Sequence, residues 1–580
     1  MAGTTLDITD LITPDQLASE IATQWVTWSS ARQKWLEEKK ELRNYLYATS
    51  TLTTTNAILP WSNTTTTPKL TQISDNLHAN YFATLFPQIK WLKWEALDRD
   101  SNTKIKTDNI QSYMDTKLRQ SGFINEASKV LQDFIIYGNC FATVQFDRTY
   151  GVKENGLEVV SYIGPRMVRI SPFDIAFNPT AATFAKSPKI IRSMVSMGEI
   201  KRLVEESPNN KHFAEVLGKM SSSREAVQGG IEVEKASAYI ADGFSSINLY
   251  YSSDYVEVLT FYGDTYDTVN QVLMKDRIIT VIDRAYVIDN KENPSWNGQS
   301  PIYHAGWRDR PDNLYAMGPL DNLVGMQYRL DHLENLKADV FDQIAYPMIK
   351  VKGDVEDFDF EPGTKIIMGD EGDVGFLVPD ATALQADMQI KLLEDKMEEM
   401  AGAPRQAMGI RTPGEKTAFE VQTLENSASR IFEHKAAHLE RVFFEPVLNC
   451  MLEVARRNLD IEEEIAVQDK ASGATVFLAI TKEDILGNGK IVPVGARHFA
   501  ERARRLQNLN TMWQLKMGDP TVGAHLSGKE FARILSQELG EPSLFGENIG
   551  VKETAETQMS ANDNEAGNMQ KLQTSAQLGV

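Results

Sequence analysis

The sequence predicts a multidomain α+β protein, mostly α, and three observations carry that expectation. The chain has 580 residues, and single cores stop growing near ~250–300. Hydrophobic residues make up 42% and charged residues 24%, a globular balance that argues against a disordered or fibrous chain. Apolar residues recur at helical spacing on both sides of a central region where the spacing is that of strands.

In chain order, residues 15–47 carry Leu17, Ile21, Trp25 and Trp28, then Trp35, Leu36, Leu42 and Leu46, on one helical stripe. Arg32, Lys34, Glu37, Glu38, Lys39, Lys40, Glu41 and Arg43 fall to the other side and read as a solvated face. Residues 49–68 hold nine threonines, two prolines and no charge, which predicts a loop or extended arm. Helices follow over 70–86, ended by Pro87, over 103–121 with Gly122 at C′, and over 125–137, stopped by Gly138-Asn139.

From 140 to 310 the period changes. Runs 140–146, 157–163, 255–262, 271–274 and 277–282 are rich in β-branched and aromatic residues, with Gly, Asn and Asp between them. A helical insertion over 196–219 divides them. An antiparallel sheet region is expected, and the lack of a βαβ rhythm argues against a doubly wound nucleotide fold.

Residues 313–346 read as one helix, ~50 Å long, ended by Pro347. The 37-residue segment 347–383 contains five glycines and short strand-like runs at 365–368 and 375–378. A second helix over 384–400 then makes an antiparallel pair around a small β-rich tip. Three Gly and two Pro in 401–416 mark a loop. A long helix over 417–458 follows, with Pro446 expected to kink it. After a strand at 475–480 come helices at 498–517 and 527–539. The polar tail 546–580 reads as disordered.

The search for chemistry returns structural readings. Gly523 to Glu530 has the Gly and Lys spacing of a phosphate loop, but Glu530 stands where a Ser or Thr must hold Mg²⁺, and Ser527 with Glu530 reads as a capping box. His434 and His438 lie four apart on a helix, but Lys435 follows the first rather than the Glu of a metalloprotease. Cys140 and Cys450 read as small core residues; two cysteines exclude a disulfide framework and fit a reducing compartment. Glu398 and Glu399 read as solvated. The opening residues lack a basic n-region and an apolar core, so no signal peptide is expected. The most apolar stretch, 134–146, is too short for a bilayer span of ~20 residues. The formal net charge of -20 disfavours a groove-wrapping DNA binder. No catalytic residue, metal or cofactor is expected.

The order of parts resembles the portal (head-to-tail connector) proteins of short-tailed bacteriophages. Residues 170–179 (Ile-Ser-Pro-Phe-Asp-Ile-Ala-Phe-Asn-Pro), 317–326 (Met-Gly-Pro-Leu-Asp-Asn-Leu-Val-Gly-Met) and 411–421 (Arg-Thr-Pro-Gly-Glu-Lys-Thr-Ala-Phe-Glu-Val) carry it locally. The resemblance covers about 15–540. It implies a ring subunit with a wing (1–310), a first stem helix (311–346), a clip (347–383), a second stem helix (384–400) and a tunnel loop (401–416). A long kinked helix with a wing strand (417–497), a crown (498–545) and the tail complete it.

It implies a homo-oligomeric ring of about twelve copies at one capsid vertex of the virion, made in the host bacterial cytoplasm. Its partners would be major capsid and scaffolding proteins, the terminase large subunit, tail adaptors, and double-stranded DNA in non-specific transit, with no membrane. The resemblance assigns motor or adaptor docking to clip residues Lys350, Lys352, Asp354, Glu356, Asp357 and Asp359. It assigns the tunnel loop to Arg405, Arg411 and Lys416, which either touch phosphates or pair with acids of neighbouring subunits. Arg502, Arg504 and Arg505 are candidate DNA-facing crown residues, against a plain solvated helix face. The clip's nine acids against three lysines, a net of -6, would repel DNA and keep it unstuck. The competing readings are a tail hub or adaptor and a nucleotide-dependent motor; the missing phosphate-loop chemistry argues against the motor.

Overall fold

The computed structural model describes residues 14–47, 63, 65–86, 91–98, 101, 103–152, 158–206, 255–267, 272–353, 355–356, 366–367, 369–377, 385–401, 431–459, 463–468 and 475–495, with short pieces at 508–509, 511–514, 531–532 and 534–535. The chain is mixed α+β. It divides into a larger unit, 1–463 with 479–496, and a smaller one, 464–478 with 497–580.

In the larger unit the N-terminal stripe makes two helices, α1 (Pro14–Ala31) and α2 (Gln33–Tyr47). Arg32 lies at the break between them. Its side chain is only 2% exposed, and its guanidinium donates to the carbonyls of Pro172, Phe173 and Ile175. Lys39 is 1% exposed and paired with Asp321. These two cations therefore leave the solvated face expected of them. A buried cation is tolerated only with such partners. The helices α3 (Lys69–Leu85), α4 (Lys104–Gln120) and α5 (Phe123–Ile136) follow the sequence spacing. Tyr81 of α3 meets Phe134 of α5 edge-on at 6.0 Å.

The strand region forms two antiparallel sheets. β2 (Asn139–Val152), β3 (Glu158–Ile170) and β9 (Ile302–Gly306) lie in the order β3-β2-β9. β4 (Ile175–Phe177), β5 (Lys189–Ser196), β6 (Tyr255–Asp267), β7 (Val272–Ile282) and β8 (Tyr286–Glu292) lie in sequence order. Leu17, Ala18, Ile21 and Trp25 of α1 share a core with Leu259, Ile279 and Val281 of the larger sheet. The expected runs 271–274 and 277–282 are one strand. An irregularity opposite Gly263–Thr265 absorbs the residues between them, and Asp276, at φ 47°, donates its N–H to Asp264 Oδ1 at 2.7 Å. α6 (Met197–Glu206) begins the expected insertion; residues 207–219 lie outside the described residues. β1 (Leu92–Ala96) pairs with the distant β16 (Gly489–Pro493).

The expected helix over 313–346 is corrected. Residues 313–317 are a strand, β11 (Asn313–Met317), paired with β10 (Arg308–Arg310). A 3-10 turn at Asp321–Leu323 leads into α7 (Val324–Ala345), 22 residues long and about 33 Å. Pro319 explains the boundary, since its ring would clash with the carbonyl of Tyr315 in a continuous helix. The long helix is helical from 431, widens to a π turn at Glu440–Phe444, and continues as α9 (Glu445–Asn458) after α8 (Asp387–Ala401). The π turn directly precedes Pro446 and relieves the clash that its ring would create in a regular helix. Residues 417–430 lie outside the described residues, as do Gly523–Glu530 and the tail. Cys140 in β2 and Cys450 in α9 are buried free thiols, as expected; burial pushes both thiols up, that of Cys450 to about 11. A short helix, α10 (Lys482–Ile485), opens on a capping box of Thr481 and Asp484. Most of the β14–β15 hairpin (Glu463–Gln468, Thr475–Ile480) belongs to the smaller unit. There Trp513 stacks on Phe531 at 4.8 Å.

Two glycines separate conformational need from spatial need. Gly122 and Gly138 have φ of +71° and +69°, but a Cβ at Gly122 meets open space, whereas one at Gly138 would lie 2.3 Å from the N of Gly318. Gly122→Ala is expected to cost about 1 kcal/mol. Gly138→Ala adds a backbone collision and is expected to cost about 3 kcal/mol or more. Urea unfolding midpoints of the two variants check this, and equal losses would refute it.

Candidate assembly surface

The excursion from α7 to α8 holds the clip part of the sequence-predicted site, and its two helices are antiparallel. The start of α8 meets the late part of α7 through Lys337 and Asp387. The end of α8 meets α3 through Glu398 and Lys69, 2.6 Å apart, while Leu70 N donates to Gln327 near the start of α7. Lys69 and Glu398 are both buried, and Lys69 also donates to Gln72 Oε1 at 3.0 Å. Glu398 is therefore corrected from solvated to buried, while Glu399 is exposed.

Between the helices, β12 (Met348–Lys352) pairs with β13 (Asp373–Leu377) from Met348↔Leu377 to Lys352↔Asp373. Gly353 turns the chain at φ +81°, where a Cβ would sit 2.4 Å from Glu371 O. β13 matches the expected run at 375–378, begun two residues earlier. The other expected run is corrected, because Ile366 and Ile367 are not in a strand. Ile367 instead accepts from Glu356 N at 3.2 Å.

This excursion is apolar on the outside. Tyr346 is 78% exposed, Met348 63%, Phe376 55% and Met388 84%, and Leu336, Phe341, Val351, Ile367, Leu377, Leu392 and Met400 are also exposed. An isolated two-stranded ribbon is marginal alone, and exposed large apolar side chains gathered on one excursion mark an interaction site. Lys350 and Lys352 project from one face of β12, as alternate residues must. They are exposed opposite Gly375 and Asp373, and Glu356 is exposed nearby. Asp354, Asp357, Asp359, Arg405, Arg411, Lys416, Arg502, Arg504 and Arg505 lie outside the described residues.

Sequence reading missed a polar ladder on α7. The described part of the threonine-rich arm, residue 63 and residues 65–68, runs along the helix. Asn63 donates its N–H and its Nδ2 to Asp339 Oδ1, and Nδ2 also reaches Asp342 Oδ2. Thr65 N donates to Asn335 Oδ1 at 2.8 Å, and Asn335 Nδ2 returns a bond to Thr65 O. Thr67 N donates to Asp331 Oδ1 at 2.9 Å, and Gln327 Nε2 donates to Thr67 O. Four helical residues rise about 6 Å and two extended residues about 6.6 Å. Every fourth residue of α7 therefore meets every second residue of the arm. The repeat Gln327, Asp331, Asn335, Asp339 was visible in the sequence, but only as a polar stripe.

These seven hydrogen bonds contribute about 1 kcal/mol each. Ordering the arm opposes them by about 1–2 kcal/mol per residue, so the two nearly balance. Burial pushes the Asp331 carboxyl up to about 6, above its usual range, against the bonds from Thr67 and Gln327.

Among the described residues, no group of three or more His, Cys, Asp or Glu side chains could hold a metal ion. His438 Nε2 lies 3.5 Å from Asp309 Oδ2, and burial lowers its pKa. A half-open cleft of about 380 Å³ between β2, the larger sheet and α9 is lined by Thr143, Tyr262, Thr280 and Glu453. Glu453 Oε1 accepts from Trp296 N at 2.6 Å and Ser295 Oγ at 3.3 Å. No described helix is long and apolar enough to cross a membrane. No protein-family model matches the chain, and no curated protein matches it.

Two measurements check the electrostatics. Glu398→Ala strands the Lys69 ammonium and is expected to cost about 3–5 kcal/mol. Lys69→Met with Glu398→Leu together are expected to cost less than the sum of the two single changes, as read by a double-mutant cycle. For Asp331, the folded carboxyl binds its proton up to about pH 6, and the unfolded one only to about 4. Folding then takes up protons in that window, so stability falls as pH rises through it. Asp331→Asn lacks this loss. Its stability relative to wild type is expected to climb from pH 4 to pH 6 and level off above it; denaturant melts showing the reverse slope would contradict this.

Proposed function

We propose that the chain is the ring-forming subunit of a phage portal, the channel at one capsid vertex through which the genome is packaged, retained and released. The observation that carries the reading is the apolar excursion between α7 and α8. A single chain leaves it bare, and a head-to-tail ring would cover it. The resemblance in the order of parts adds to that.

On this reading α7 and α8 are the stem and the β12–β13 ribbon is the clip. The protein makes and breaks no bonds. Lys350, Lys352, Asp354, Glu356, Asp357 and Asp359 face the packaging motor and later the tail adaptors. Arg405, Arg411 and Lys416 lie on the tunnel loop, and Arg502, Arg504 and Arg505 in the crown. The described clip acids Glu356, Asp370, Glu371 and Asp373 are exposed, and repeated around a ring they repel duplex DNA.

Native mass spectrometry with negative-stain imaging tests the proposal. Rings of about twelve copies of the 65.1 kDa chain, near 780 kDa with an axial hole, are expected. Phe376→Asp with Met348→Asp is expected to yield monomers that keep the wild-type far-ultraviolet circular dichroism spectrum, because both side chains are exposed in the single chain. A wild-type chain that stays monomeric at high concentration and with scaffolding protein would count against a portal and for an adaptor.

A further inference from the structure

We propose that residue 63 and residues 65–67 form a releasable strap on α7, held by Gln327, Asp331, Asn335 and Asp339, that lifts off while α3, α7 and α8 stay folded and so sets how firmly the distal half of α7 is held. Three observations support it. First, the described residues of the strap are all polar. Asn63, Thr66 and Thr67 are half-exposed and Thr65 is exposed, and the contacts that tie them to α7 are hydrogen bonds.

Second, both surfaces that part are polar. Gln327, Asp331 and Asn335 are buried, and on release water can take over every bond the strap made. An apolar groove would lose its burial instead. Third, the neighbours have cores of their own. Leu70, Ile73, Leu77, Tyr81 and Leu85 bury one side of α3, and Ile390, Met397 and Ala401 that of α8. Opening of the strap is therefore local rather than global.

The position of the strap gives the opening a consequence. The distal half of α7 exposes Leu336 and Phe341. Its described polar ties include the bonds of Asn63 to Asp339 and Asp342, those of Thr65 to Asn335, and the Lys337–Asp387 pair. With the strap down, the helix carrying the ribbon is fastened to the segment that leads into α3. With it up, that half is freer to tilt. Only this consequence rests on the portal reading; the strap itself does not.

Hydrogen exchange on the full chain, read by mass spectrometry, tests the strap whether or not rings form. The amides of Thr65 and Thr67 donate to α7 side chains and report on it directly. They are expected to exchange at least about tenfold faster than amides in the middle of α3 and in the buried half of α7. Asn335→Ala removes both bonds at Thr65 and is expected to speed exchange there about tenfold more, leaving α5 and β2 unchanged. Asn335→Asp keeps the acceptor for Thr65 N and loses the donor to Thr65 O, so its effect is expected to be intermediate; it also serves if the alanine variant does not fold. Exchange at 65 and 67 in step with α3, or exchange there unmoved by the Asn335 changes, would overturn the strap.

Discussion

The placement of the exposed excursion depends on one carboxylate, Asp321, and the buried cation that it answers. Its Oδ1 takes the ammonium of Lys39 from α2, and its Oδ2 takes the N–H of Gly318 at 2.7 Å. Burial drives the Lys39 pKa down against the pull of Asp321, so desolvation outweighs attraction there and loss of either partner would leave a stranded charge. The same side chain that answers this cation also stabilises the turn from which α7 starts. A second ion pair, Lys69–Glu398, buried on both sides, fastens the far end of α8. Two ion pairs thus pin the two ends of the segment 321–398, and the middle is left to project.

The region behind those pins is built for close approach. Asn139 ties the α5–β2 corner to β11: its Oδ1 accepts from Ala316 N at 2.9 Å and its Nδ2 donates to Ala316 O at 2.9 Å. His304 also meets Asn139 Oδ1, stacks on Phe141 at 4.7 Å and is held neutral by burial down to about pH 3. With Gly138 against Gly318, this leaves no room for a side chain between the corner and the chain that leads to α7. Arg32, reaching the carbonyls of Pro172 and Phe173 after β3 and of Ile175 at the start of β4, locks the N-terminal helices to the same body.

Period and punctuation made the helices and most long strands legible. Gly122, Gly138 and Pro87 mark boundaries within a residue or two because local backbone geometry sets them. The failures have a common cause in tertiary partners. Arg32, Lys39 and Glu398 were read as solvated from their charge, yet each is buried by a partner at least 140 residues away. Residues 313–317 kept a helical spacing but pair as a strand, and Pro319 was the signal against the helix. β1 (ending at Ala96) and β16 (starting at Gly489), far apart in sequence, had no local mark. The tip could be placed between two helices from order alone. Its exposed apolar face could not, since Met348, Val351 and Phe376 look the same in a core as on a surface.

That face and the strap make opposite use of the same projection. An apolar surface gains most by being covered once and staying covered, because burial of each large side chain contributes about 1.5–3 kcal/mol. A backbone held by a polar ladder gains little, because water competes for every bond. The ribbon therefore favours permanent partners, as a ring interface would supply, while the strap alongside α7 favours exchange. On the portal reading, a fixed interface at the tip and a soft fastening at the root would let copies stay joined while their helices tilt. On the same reading, the exposed acids Glu356, Asp370, Glu371 and Asp373 would add a third requirement, that a polyanion in the channel be kept away from both.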